Sequence, residues 1–213
     1  MALKTCYLQE LSDLFVGDLK RSQYYRELPE QEREDLDDQI EEETSQGHYP
    51  LLPGGDEKAL ERLSEAVKKE LSIPLPSSFA DILRQVDGFV ENGVSLYGVD
   101  AEFRDDQFDS GPGLLAENLV KWSNFAEMIQ KYLFFGDSDL WFFALELNSG
   151  RAVALQRSTL KPEDYFSAVE EMVNDMMRQA LGYFDDETDD AEDETDSNST
   201  GFYFSRSKPA TIL

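Results

Sequence analysis

One histidine, His48, and one cysteine, Cys6, stand against forty-five carboxylates in this sequence. That inventory narrows the chemistry. One nitrogen and one sulfur ligand cannot make a zinc site without several carboxylates. A Cys–His nucleophilic pair would need the lone Cys6 and the lone His48 of a linker-like segment, 42 positions apart, brought together, so no metal and no cofactor is expected. Asp137-Ser138-Asp139 is acidic, but the other ligand positions of a calcium loop do not follow it. It reads as a solvated turn. There is no phosphate-cradling glycine loop and no nucleophile elbow. Carboxylate pairs are too abundant for any one pair to mark a general acid, which also needs a pocket that raises its pKa. The chain reads as non-catalytic.

The same carboxylates speak to partners. With nineteen Lys and Arg the net charge is −26. Nucleic acid is a polyanion and would be repelled, and no Lys/Arg stripe is present to bind it. An anionic membrane surface is disfavoured for the same reason. A basic protein partner is favoured, because opposite fields steer encounter. Plain solubility is the competing reading of the charge. The acidity is distributed: residues 1–55 carry thirteen acids and five bases, residues 56–184 carry 23 and 12, and residues 185–213 carry nine and two.

No stretch approaches the eighteen apolar residues of a membrane span. Lys4, Glu10, Asp13 and Asp18 interrupt the apolar residues of the N-terminus, so a signal peptide is not expected. A single cysteine allows no intrachain disulfide. These readings place the chain in the cytoplasm.

The elements that must position any binding residue follow from periodicity. Leu8, Leu11, Phe15 and Leu19 are spaced for one helical face. Glu27 to Glu43 holds ten acids and one base, and reads as a solvated helix or a loosely ordered segment. Tyr49-Pro50-Leu51-Leu52-Pro53-Gly54-Gly55 reads as a linker. Asp56 is placed to cap a helix with the stripe Leu60, Leu63, Val67 and Leu71. Ser78 and Asp81 suggest a capping box for a second helix that stops at Asp87-Gly88. Leu115, Leu119, Trp122, Ala126 and Ile129 predict a third.

Short strands are expected at Val94–Tyr97, after the Asn92-Gly93 turn, and in two runs, Leu140–Leu145 and Ala152–Leu155, joined by Asn148-Ser149-Gly150. The aromatic run Phe134, Phe135, Trp141, Phe142 and Phe143 is core by this reading, in strands buried on both faces. Pro162 suits the first turn of a last helix with the stripe Phe166, Val169, Met172, Val173, Met176 and Ala180. The fold class is α+β, with a central, mostly antiparallel sheet flanked by helices. Three regions result: a helical acidic extension (1–55), a folded domain (56–184) and an acidic tail (185–213) expected to lack order.

Three pieces of the domain resemble the SMI1/KNR4 group, also called the SUKH superfamily. The first is Leu75-Pro76-Ser77-Ser78-Phe79 with Ile82-Leu83 and Asp87-Gly88. The second is Leu114-Leu115 with Asn118 and Trp122. The third is Tyr132-Leu133-Phe134-Phe135-Gly136-Asp137, followed by Phe142-Phe143-Ala144-Leu145-Glu146-Leu147 and Asn148-Ser149-Gly150. Pro76, Phe79, Gly88, Asn118, Gly136 and Gly150 carry the likeness. Gly88-Phe89 departs from the pair of small residues common there. The resemblance implies a protein-binding role: many bacterial relatives are immunity proteins that neutralise secreted toxins, often nucleases, and others are regulatory scaffolds.

Loops on a rigid scaffold carry function, so the acidic loop Asp100–Asp109 is the expected partner contact. Its carboxylates Glu102, Asp105, Asp106 and Asp109, with Asp137 and Asp139 of the turn, are the candidates to pair with Lys or Arg of a secreted toxin domain.

Overall fold

The computed structural model describes residues 2–105, 111–120, 122 and 126–183. Among these, eight α-helices surround a six-stranded antiparallel sheet, an α+β architecture with the sheet central and flanked by helices. The strands are β1 (Phe89–Glu91), β2 (Val94–Leu96), β3 (Tyr132–Asp137), β4 (Trp141–Glu146), β5 (Arg151–Gln156) and β6 (Pro162–Phe166), hydrogen-bonded in chain order. The β1–β2 turn is made by Asn92 and Gly93, both at positive φ (47° and 75°). That is the two-residue connection whose twist matches the flanking strands.

All six residues of β3 are buried, so the sheet is covered on both faces there. On one face Phe79, from α5 (Ser77–Leu83), stacks on Phe135 with centroids 3.9 Å apart. Beside it runs α8 (Val169–Ala180), whose Met172, Val173, Met176 and Met177 are fully buried. Gly136 lies between α8 and β2: a Cβ there would run into Met176 and the carbonyl of Ser95. On the other face Trp122 stacks on Phe134 at 3.6 Å and meets Phe142 edge-on at 4.7 Å. The aromatic run is core, as its composition suggested.

Helix α4 (Glu57–Leu71) starts as expected, with the Asp56 carboxylate accepting from the amides of Lys58 and Ala59. Leu60, Leu63 and Val67 of its stripe are buried. Other expectations are corrected. No capping box forms at Ser78: α5 begins one residue earlier, after Pro76, and Asp81 pairs instead with Arg84 at 2.6 Å. The single third helix is two short ones, α6 (Leu114–Val120) and α7 (Ala126–Ile129). Pro162 opens an edge strand rather than a helix, and α8 starts only at Val169. Proline lacks an N–H, which suits the first position of an edge strand as well as the first turn of a helix.

The N-terminal residues join the same core. In α1 (Thr5–Arg21), Leu8 and Leu11 are buried, and the helix packs on α8. The backbone amide of Lys4 donates to Asn174 Oδ1 at 2.8 Å. A short α2 (Gln23–Glu27) leads to α3 (Glu30–Ser45), which buries no residue. The stretch Tyr49–Gly55 is a packed strap rather than a linker. Leu52 is buried, Ser12 Oγ donates to the Pro50 carbonyl at 2.8 Å, and the Pro53 carbonyl accepts from the Asp87 amide at 2.9 Å. The tail expectation falls outside the described residues.

Candidate functional site

The root of the acidic loop is built by two buried aspartates. Asp87, 1% exposed, accepts from the Val99 amide at 2.6 Å and pairs with Arg104 at 2.6 Å. Asp100, 5% exposed, accepts from the amides of Leu115 (2.9 Å) and Ala116 (2.7 Å), and so holds the start of α6. Burial pushes the Asp100 carboxyl above its ordinary value, and the two amides offset only part of that cost. Sequence reading treated Asp87 as a helix stop and Asp100 as a loop edge. Their signal was position: each adjoins core residues, Val86 for one and Val99 for the other.

From this root the chain makes a 3-10 turn, Ala101–Phe103, over α4. Arg62 of α4 donates to the Phe103 carbonyl at 2.8 Å and grips Asp105 with both terminal nitrogens, at 2.9 and 3.3 Å. Glu102 and Asp105 are exposed, as a partner contact requires. Asp105 is nonetheless already neutralised by Arg62, so a partner's cation would compete with that pair. Asp106 and Asp109 lie outside the described residues.

The β3–β4 turn separates its two candidates. Asp137, 8% exposed, accepts from Tyr97 Oη at 3.1 Å and lies 3.8 Å from Arg157. It is a structural carboxylate, and its assignment to the partner surface is corrected: a buried charge needs internal pairing. Tyr97 is itself buried, and desolvation first, then the Asp137 charge, pushes its phenol far above the usual range. Arg157 donates to the Ser138 carbonyl at 2.7 Å and covers the Phe142 ring at 4.8 Å. Asp139 is exposed and lies beside the Gly93 turn. Thus Glu102 and Asp105 sit over α4 while Asp139 sits at the β1–β2 turn; the described candidates form no single cluster.

The six signature residues are all structural. Pro76 precedes α5, Phe79 and Gly136 pack between sheet and helices, and Gly88 and Gly150 occupy turns at positive φ. Asn118 is buried and bonds the backbone of Phe134.

The surface feature that sequence reading left undecided is α3. It is a regular helix of sixteen residues with nine carboxylates, and its only base is Arg33. Asp37 faces α1 and α2, receiving Lys20 at 2.8 Å and Tyr25 Oη at 2.6 Å. Those two bonds hold the Asp37 carboxyl below its ordinary value. At the C-terminal end of α3 opens a cavity of about 470 Å3, floored by the buried Leu8 and Leu52. His48, assigned to a linker by its surroundings in sequence, lies on the rim of this cavity.

Among the described residues no group of three or more His, Cys, Asp or Glu is placed to hold a metal ion. No described helix is long and apolar enough to cross a membrane. The fold and these surfaces define an α+β domain with an acidic helical face. No protein-family model matches the chain, and no curated protein matches it.

Proposed function

We propose that this chain is a non-catalytic, cytoplasmic binding module for a basic protein, acting as an immunity protein that neutralises a cognate toxin domain by occupying it. The observation that carries the reading is α3. Glu30, Glu34, Asp38 and Glu42 follow one another at four-residue spacing, where like charges repel. The last turn holds Glu42 and Glu43 with no base, against the helix dipole. The helix contributes no buried side chain to offset these costs. A cationic surface laid against it would relieve both.

The buried carboxylates support the non-catalytic part of the reading. Asp87, Asp100 and Asp137 each serve a backbone amide, a buried arginine or a buried tyrosine. The resemblance to the SMI1/KNR4 group supports the immunity role, with carboxylates standing in for the phosphates that a nuclease toxin contacts. The alternative is a regulatory scaffold of the same group. It is favoured by the separation of α3 from the Glu102–Asp105 surface, which offers more than one acidic face.

The test is binding of the full chain to the toxin domain encoded beside its gene, measured at two salt concentrations, with rescue of growth when both are co-expressed. The proposal expects rescue and an association rate that falls as salt rises. Tight binding indifferent to salt, or binding without rescue, would overturn it.

A further inference from the structure

We infer that the cavity at the C-terminal end of α3 is an anchor pocket for an arginine side chain. The inference rests on the basic-partner reading and deepens it. The cavity is formed where four segments meet: the first turn of α1, the C-terminal end of α3, residues 47–54, and Arg84 and Gln85 just after α5. Its floor is apolar, made by Leu8 and Leu52, each 2% exposed, and Tyr49 and Pro53 are half-buried in its wall. Glu43 stands on the wall as the ionisable acid of the lining. At about 470 Å3 it falls in the range of pockets that take a ligand group rather than a water.

The charge around this cavity selects the occupant. Arg84 also lines it, but two carboxylates already hold that guanidinium: Glu57 in a two-pronged pair at 2.9 Å on each prong, and Asp81 at 2.6 Å. Arg84 and its partners therefore carry a net negative charge. Glu42 and Glu43 add theirs at a helix C-terminus, where the backbone dipole is also negative. An apolar floor beneath a negative rim fits a long side chain with an apolar stem and a cationic end. Arginine fits better than lysine. Its planar fork can pair with the Glu43 carboxylate, of which Oε1 already accepts from Gln39 Nε2 at 3.0 Å and Oε2 has no such donor, and can lie against the ring of Tyr49. A purely apolar anchor would leave the rim unanswered, and an anion would be repelled by it.

The experiment uses the full chain, isotopically labelled, and two short glycine peptides capped at both ends. One carries a single arginine, the other citrulline, which has the same shape without the charge. Backbone amide shifts are followed by NMR. The arginine peptide is expected to move the amides of Gly47, His48 and Gly54 saturably. The citrulline peptide, and the Glu43→Gln variant with the arginine peptide, are expected to bind about five-fold more weakly, the upper end for one exposed ion pair. Thr5→Trp, at the exposed mouth, should abolish the shifts without changing the melting temperature. Equal binding of the two peptides would overturn the inference. Shifts confined to Glu30–Asp38 and Glu102, with Gly47, His48 and Gly54 silent, would overturn it too, yet leave the basic-partner reading standing. No shift anywhere would remove both.

Discussion

The side-chain amide of Asn118 bonds both backbone groups of Phe134: its Oδ1 accepts the Phe134 N–H at 3.0 Å, and its Nδ2 donates to the Phe134 carbonyl at 2.8 Å. The same Nδ2 reaches the Leu114 carbonyl at 2.8 Å. β2 pairs with β3 at Gly136 and Asp137, and the Tyr97 amide adds one bond to the Phe135 carbonyl at 2.8 Å. Beyond that point the edge of β3 would be bare, and one side chain does there what a further strand would do. Asn118→Leu should leave two backbone groups of Phe134 buried and unpaired, at about 1–3 kcal/mol each. Urea denaturation reads the loss; a variant as stable as the parent would show that water reaches this edge.

Phe142→Ala should cost about 3–5 kcal/mol, because the ring is buried between Trp122 and Arg157 and leaves a cavity when removed. Thermal and urea unfolding check it. Retained stability combined with lost partner binding would make this aromatic surface an interface instead of core.

Asp100 gives a pH dependence of definite sign. Its native carboxyl is raised above 3.8 chiefly by burial, so in that window the folded state binds more protons than the unfolded one. Its contribution to stability therefore falls as pH rises from 3.8 through the raised value. Glu57 runs the other way. Arg84 holds it below 4.5, and the stability from that pair is present above 4.5 and lost as pH falls through the depressed value. Comparing the parent with Asp100→Asn across the acid range should show the parent losing ground as pH rises. Parallel stability curves would remove Asp100 as the cause.

Neutralising one face of α3, by Glu34→Gln, Asp38→Asn and Glu42→Gln together, should move stability and association in opposite directions. Repulsion between acids four apart costs about 0.2–0.5 kcal/mol per pair, so the free protein should become slightly more stable. Steering of a basic partner should weaken, lowering the association rate more than it raises the dissociation rate. Stopped-flow binding beside a melting curve separates the two. An unchanged association rate would assign the acidity of α3 to solubility.

The features legible in the sequence are those fixed within a few residues. Asp56 caps its own helix, Asn92-Gly93 makes its own turn, and Leu60, Leu63 and Val67 lie on one side of one helix. The misread features depend on distant residues. Pro162 satisfies two local rules at once; the pairing of β5 with β6 decides between them. Asp137 looks like a surface acid until Tyr97, forty positions away, is found against it. Asp105 looks available until Arg62, 43 positions away, grips it. Carboxylates in an acidic chain are the residues whose roles local pattern sorts least well, since burial and pairing are set by the tertiary fold.

The bond from the Lys4 amide to Asn174 joins positions 170 apart, and around it α1 lies on α8. During synthesis α1 leaves the ribosome early, yet Leu8 and Leu11 have no complete bed until α8 emerges. The meander of β1 to β6 can assemble hairpin by hairpin in the meantime. The seating of α1 on α8 therefore waits for α8 to be made. The cavity floored by Leu8 draws its whole lining from residues 5–85, so it depends on α8 only through the seating of α1.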